Sequence, residues 1–131
     1  MKKFGWIKTK KQQRGILSTL KKIRKFIEKP ERWGKEDFEI HNEDDTTSYC
    51  VIGASKQVDG PYEWEADKAI ALSLSGAYKM KRYQEEELLN MEEADDDALE
   101  PVFFFNDDPK TKHRQVLALL DRAYSNIEKA L

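Results

Sequence analysis

Three residues have side chains of the types that could form a nucleophile, a general base and an orienting acid: Cys50, His113 and Asp107. Their surroundings disfavour that use. Cys50 precedes the apolar run 51–54, as a small buried core residue does. His113 falls in the first turn of a predicted amphipathic helix, where an exposed polar residue is expected. We therefore assign no catalytic residue, and a hydrolase using Cys50 and His113 ranks third among our hypotheses.

A second group of residues has side chains that could hold a small, nucleotide-like ligand. Asn106 and Asp107 form a polar corner before the C-terminal helix. A helix start favours anions, although Asp107 and Asp108 oppose one here. Together with the residues on either side, Asn106-Asp107 is better interpreted as a structural corner that leads into the C-terminal helix than as part of an active site. The ligand-binding hypothesis names Trp33, Trp64, Asn106, Asp107, Thr111 and His113.

Metal binding is the third chemistry to consider, at His41, Glu43, Asp44 and Asp45. Adjacent carboxylates point in different directions, and the spacing is not that of an EF-hand loop. No glycine-rich phosphate loop or paired zinc ligands occur either. We expect solvated loop acids, no metal site and no cofactor.

Charge is strongly separated along the chain of 131 residues, whose overall net charge is only −2. Residues 1–30 carry eleven Lys or Arg and one acid, a net charge of +10, whereas the remainder carries −12. Lysines interleaved with aromatic residues are typical of nucleic-acid contact, but a solvated terminus is the simpler interpretation. The predicted polyanion-binding residues are Lys8, Lys10, Lys11, Arg14, Lys21, Lys22 and Lys25.

An acidic segment lies near residues 83–100, with nine acids and no base. Asp95, Asp96 and Asp97 would repel one another if they were ordered side by side. We expect a mobile acidic excursion; mimicry of nucleic acid would require a rigid row of carboxylates instead.

The elements that must position these residues are mainly helical. Apolar residues recur at helical steps from Gly15 to Lys29 and from Val116 to Leu131, and weaker patterns predict helices over 49–58 and 64–81. The short helix would be capped by Thr46, Thr47 or Ser48, and the last by Thr111 or by Asp108 with Pro109 at its first position. The run 102–105, Val-Phe-Phe-Phe, predicts a short buried extended segment.

These patterns predict a compact, mainly α domain, or α+β with a minimal sheet, of about four helices with one extended segment before the last. Residues 1–14 would form a basic, partly disordered arm and residues 15–131 a single domain with the acidic excursion. The single cysteine and the lack of a membrane-length apolar segment predict a cytoplasmic protein.

Several pieces of the chain resemble the uncharacterised family of small bacterial and phage proteins called domain of unknown function 6197. The resemblance rests on Trp33-Gly34, Cys50 to Ala54, Phe105-Asn106-Asp107 and Val116 to Ala123, and it covers about residues 16–130. Phe105 departs from the family, which has Trp at that corner. The resemblance implies a compact helical domain of phage or bacterial type and brings no established activity.

The leading functional hypothesis is a small non-catalytic binding or inhibitor protein, acting in the cytoplasm (that of the host, if phage-encoded) on a protein or polyanion partner such as nucleic acid. The alternative is a protein that binds or sequesters a small nucleotide-like ligand. We expect no membrane insertion, and a homo-oligomer is compatible with the sequence.

Overall fold

The computed structural model describes residues 3–131, and within them the chain forms six α-helices and one antiparallel pair of short strands. The mainly helical prediction is confirmed, but about four helices was too few. The helices are α1 Lys10–Phe26, α2 Val51–Gln57, α3 Glu63–Leu72, α4 Arg82–Leu89, α5 Glu100–Asp107 and α6 His113–Glu128; the strands are β1 Glu39–His41 and β2 Thr47–Tyr49.

Helix α1 begins five residues before the predicted start at Gly15. Thr9 is the reason, because its side-chain oxygen accepts a hydrogen bond from the backbone N–H of Gln12 at 3.0 Å. Gln13 is buried and its amide donates to the carbonyl oxygen of Ile127 at 2.9 Å. The second part of the predicted arm is therefore helical and packed on α6, and Ile7 before it is buried as well.

The helix predicted over 64–81 is confirmed only in its first part, because α3 ends at Leu72 and α4 starts only at Arg82. Gly76 lies between them with a φ of 62°, a left-handed conformation that a continuous helix cannot contain. The carbonyl oxygen of Ser73, at the end of α3, accepts a hydrogen bond from Arg122 Nε at 2.6 Å. The Arg122 side chain thus satisfies a carbonyl group that a further turn of helix would otherwise have bonded.

The extended segment predicted at Val102–Phe105 is also wrong, because these residues lie in α5. Pro101 occupies the first turn of the helix, where its missing N–H costs nothing. Val102 and Asn106, four residues apart, face the core, whereas the ring of Phe104 is 60% exposed. A four-residue apolar run has no period that separates strand from helix, which explains the error.

Helix α6 begins later than predicted, at His113 with Lys112 as the N-cap residue. Neither Thr111 nor Asp108 caps it, since the Thr111 N–H donates to the Asp108 carbonyl oxygen at 2.9 Å in the preceding turn. The Gln115 side chain accepts instead from the Lys112 N–H at 2.6 Å.

The acidic segment 83–100 is partly helical and attached to the core. Its first part lies in α4, and the side chains of Leu88, Ala94 and Leu99 are buried. These three apolar side chains anchor the segment to the core, and most of its carboxylates are exposed. The expected mobility of the segment stays a prediction.

The core forms around α3, which contacts α1, α2, α4, α5 and α6. The apolar stripes of α1 and α6 pack against each other, as their spacing predicted, and bury Ile16, Leu20, Ile23, Val116, Leu120, Ala123 and Ile127. Among the described residues, no helix is long and apolar enough to cross a bilayer.

Candidate functional site

The outer face of α1 is the strongest concentration of one charge in a single element. The helix contains seven Lys or Arg and no acid. At 100° per residue, Lys10, Arg14, Lys21 and Lys25 lie within about 60° of one another and extend over roughly 22 Å of the helix axis. Lys11 and Lys22 widen this face to about 120°. We call these six residues the basic face of α1.

All seven predicted polyanion-binding residues are exposed, including Lys8 just before the helix (Lys8, Lys10, Lys11, Arg14, Lys21, Lys22 and Lys25). Their exposure follows from the packing of α1, whose apolar side faces α3 and α6.

The charges of the basic face are not neutralised within the described chain. Arg24, at the edge of this face, is paired with Asp121 at 2.6 Å, and that hydrogen bond raises the pKa of its guanidinium. Lys22 Nζ donates to the backbone oxygen of Asp59 at 2.7 Å, which leaves its charge uncompensated. No carboxylate of residues 3–131 forms an ion pair with any of the six residues. A positive potential therefore surrounds this side of the molecule.

The polar corner is built around Asn106, which is completely buried. Its side-chain oxygen accepts from Trp33 Nε1 at 2.8 Å and from the Val51 N–H at 3.1 Å. Its side-chain nitrogen donates to the Gly34 carbonyl at 3.0 Å and to Asp107 Oδ1 at 3.0 Å. Both donors and both lone pairs are thus used, so this side chain has no free polar group for a ligand.

The other residues of the predicted ligand site are only partly brought together. Trp33 contacts both Asn106 and His113, whose ring centroid lies 6.0 Å from its own. His113 Nε2 donates to the carbonyl oxygen of Ile27 at 2.7 Å, at the end of α1. Thr111 is buried in the turn before α6. No hydrogen bond or ring contact of the described residues joins Trp64 to this cluster, so the site as a whole stays a prediction.

Cys50 is the N-cap of α2, a position for which Thr46, Thr47 and Ser48 were the predicted residues. Its sulfur accepts from the Gly53 N–H at 3.2 Å, and burial raises the pKa of the thiol above its usual value. A raised pKa disfavours the nucleophilic thiolate. Within residues 3–131 no hydrogen bond connects Cys50 with His113, and the hydrogen bond from the Gly53 N–H offsets the effect of burial on the thiol pKa only in part.

A hollow of about 250 Å³ lies beside Cys50, and we call it the corner hollow. Three carboxylates and no base line it, which disfavours the phosphate groups of a nucleotide. Its lining residues are Glu36, Asp37, Phe38, Cys50, Phe103 and Asp107.

In the part of the chain that the structure describes, no three His, Cys, Asp or Glu side chains are placed to hold a metal ion. Asp44 instead accepts from the hydroxyl of Thr46 at 2.5 Å, and this bond lowers the pKa of the carboxyl.

The sequence patterns did not reveal that two adjacent charged residues of α3 are buried. Asp67 and Lys68 carry charges that usually face solvent on a helix, but both are buried. Asp67 accepts from the Ser55 hydroxyl, and burial raises its pKa to about 7; Lys68 donates to the carbonyl oxygen of Met91. Both residues are buried because other elements pack on most sides of α3, and the sequence pattern of α3 alone does not show that packing.

A family model, described as a family of unknown function (DUF6197), matches residues 12–126 and confirms the resemblance. No curated protein and no solved structure matches the chain.

Proposed function

Because the chain belongs to this family of unknown function, which supplies no activity, we propose its role from its own geometry: a non-catalytic protein that binds a polyanion, the phosphate backbone of a nucleic-acid duplex, through the basic face of α1. The proposal rests on one observation. Six exposed bases lie on one side of a helix that contains no acid.

The length and composition of the face favour a duplex. Its charged groups extend over roughly 22 Å, a distance along which B-DNA presents on the order of ten phosphates. Lys and Arg contribute charge and hydrogen-bond donors to phosphate oxygens without reading base edges. The bases on the outer face of α1 are not interleaved with aromatic rings, so stacking on single-stranded bases receives no support from this helix.

The packing of α1 also bears on the other polyanionic partner, a membrane surface. An amphipathic helix binds a bilayer by inserting its apolar side. The apolar side of α1 is already occupied by α3 and α6. Only an electrostatic contact remains available to the helix, which favours a hydrophilic polyanion.

The small-ligand alternative has weaker support at the corner where it was predicted. Asn106 has no free polar group, and the corner hollow presents carboxylates from Glu36, Asp37 and Asp107. An uncharged or cationic ligand would suit this hollow better than a nucleotide.

The proposal can be tested by fluorescence anisotropy with a labelled 20-base-pair duplex of arbitrary sequence at 100 mM NaCl. The variant Arg14→Gln/Lys21→Gln/Lys25→Gln removes three neighbouring charges of the basic face. If each charge displaces about one counterion, we expect the affinity to fall roughly 100-fold.

The matched control is Lys56→Gln/Lys81→Gln/Lys110→Gln, which makes the same change in net charge at three exposed lysines outside α1. It should keep most of the affinity. Equal losses of affinity in both triple variants would show that net charge, and not the position of the charges, determines binding. If the unmodified protein does not bind the duplex at 50 mM NaCl, the proposal is refuted and a protein partner is the remaining hypothesis.

A further inference from the structure

We propose a second binding site, for a small organic phosphate, in a cleft between the end of α3 and α6. The cleft has a volume of about 470 Å³ and lies where the chain leaves α3 at residues 72–76. Lys3, Lys79 and Arg122 line it, and no carboxylate of the described residues does. We call it the basic cleft. It is distinct from the basic face of α1 and does not depend on the function proposed for that face.

Arg122 is held in place by the backbone at the floor of the basic cleft. Its Nε donates to the Ser73 carbonyl oxygen at 2.6 Å, while Nη1 and Nη2 form no hydrogen bond with the described residues. A guanidinium fixed through one nitrogen presents its remaining donors in a fork that suits phosphate oxygens. Asn126 stands one turn further along α6, and its amide nitrogen donates to the Ser73 hydroxyl at 3.0 Å.

The positive charge continues into an adjoining hollow of about 260 Å³. The two spaces share Lys3, Phe4 and Asn126, and the second adds Lys129. Lys3, Lys79, Arg122 and Lys129 therefore line two neighbouring spaces. Of these, only Lys3 has a carboxylate partner among residues 3–131, Glu85 at 3.2 Å. A phosphate group in the basic cleft would therefore meet Lys79 and Arg122 without a competing carboxylate partner among the described residues.

The walls of the basic cleft suit the organic part of such a ligand. The half-buried ring of Phe4 supplies apolar surface next to the charged groups, above Leu72 and Leu74, which are 2% and 4% exposed. A volume of about 470 Å³ is within the usual range for small-molecule sites. We infer that the ligand class is a phosphate monoester of the size of a nucleoside monophosphate.

The test is isothermal titration calorimetry at 50 mM NaCl with three probes: adenosine 5′-monophosphate, adenosine and inorganic phosphate. We expect saturable binding of the monophosphate, weaker binding of inorganic phosphate and none of adenosine. Lys79→Gln, at an exposed residue, should weaken monophosphate binding about tenfold, and Arg122→Gln should weaken it further. Lys79→Gln is the decisive variant if loss of the Ser73 contact unfolds Arg122→Gln.

The control Lys81→Gln removes an exposed lysine two residues away that does not line the basic cleft, and it should bind like the unmodified protein. The triple variant in α1 should also keep its affinity for the monophosphate, which separates the two sites. No binding at millimolar monophosphate, or equal affinities of the Lys79 and Lys81 variants, would overturn the proposal. Inorganic phosphate binding as tightly as the monophosphate would overturn its organic-ligand part.

Discussion

At the scale of single residues, Asn106 explains why a polar corner lies inside an apolar core. It connects the Trp33 ring, the start of α2 and the loop at Gly34 through three hydrogen bonds, and a fourth joins it to Asp107. Removal of a buried amide of this kind destabilises the fold mainly because the groups bonded to it lose their hydrogen-bond partners. The arrangement supports a structural role for Asn106.

Asn106→Ala should lower the free energy of unfolding by about 3 kcal/mol, because the Trp33 indole N–H, the Val51 N–H and the Gly34 carbonyl oxygen would all lose a partner. Urea denaturation followed by circular dichroism measures the change. Asn90→Ala, at an exposed asparagine, should stay within about 0.5 kcal/mol. An unchanged midpoint for Asn106→Ala combined with lost binding would instead make this residue functional.

Asp67 should make stability depend on pH, because its pKa is about 7 in the folded protein and 3.8 as the ordinary value. The folded state holds the proton that the unfolded state releases, so stability falls as pH rises from about 4 to about 7. Burial is the main cause of the raised pKa; the hydrogen bond from Ser55 and the charge of Lys56 oppose it, and Glu63 and Asp96 add to it. The difference in pKa corresponds to about 4 kcal/mol at most.

Asp67→Asn should therefore be more stable than the unmodified protein at pH 8, and the difference should shrink towards pH 5. Urea midpoints at several pH values measure it. Asp59→Asn, at an exposed acid, is the control and should leave the pH profile unchanged. A destabilised Asp67→Asn variant at pH 8 would show that the carboxylate is charged and favourable in the fold.

At the scale of elements, the long periodic helices were predictable and the short ones were not. The stripes of α1 and α6 repeat over four turns, so the positions of their buried faces follow from the sequence. The three Phe of α5 have no such period. The break between α3 and α4 depends on the left-handed conformation of Gly76. Glycine can adopt this conformation, but the presence of a glycine in a sequence does not predict it.

The same distinction holds for the functional candidates. The basic residues of α1 were predictable because charge and helical period both lie in one segment. The buried position of Asp67 was not, because its partner Ser55 belongs to another helix. The basic cleft was missed for a similar reason, since Lys3, Lys79 and Arg122 come together only in the folded chain.

Gly53 lies where α2 and the segment before β1 approach each other closely. A methyl group there would collide with the carbonyl oxygen of Phe38. Gly53→Ala should therefore destabilise the protein by about 1–3 kcal/mol, measured as a lower midpoint of urea denaturation. Gln57→Ala, at an exposed position of the same helix α2, is the control and should have little effect. A neutral Gly53→Ala would mean that β1 and its preceding loop move freely away from α2.

At the scale of the whole molecule, the two oppositely charged segments of the chain lie in different elements, although Lys3 and Glu85 join them by one ion pair at 3.2 Å. The basic face of α1 lies on one helix, and the carboxylates of 83–100 project from α4 and the turns that follow it. Among residues 3–131 the acids of this segment form two ion pairs, Glu85 with Lys3 and Glu86 with Arg82, and neither involves the basic face of α1. Under the proposed function, this distribution of charge would orient the molecule with the basic face of α1 towards the polyanion.

The most direct test of the central claim is the salt dependence of duplex binding. The logarithm of the association constant, plotted against the logarithm of NaCl concentration, should fall with a slope of about −5 for six phosphate contacts. In Arg14→Gln/Lys21→Gln/Lys25→Gln the slope should become shallower by about 3, whereas the control at Lys56, Lys81 and Lys110 should keep it. Identical slopes for the unmodified protein and the α1 variant would contradict binding through the basic face of α1.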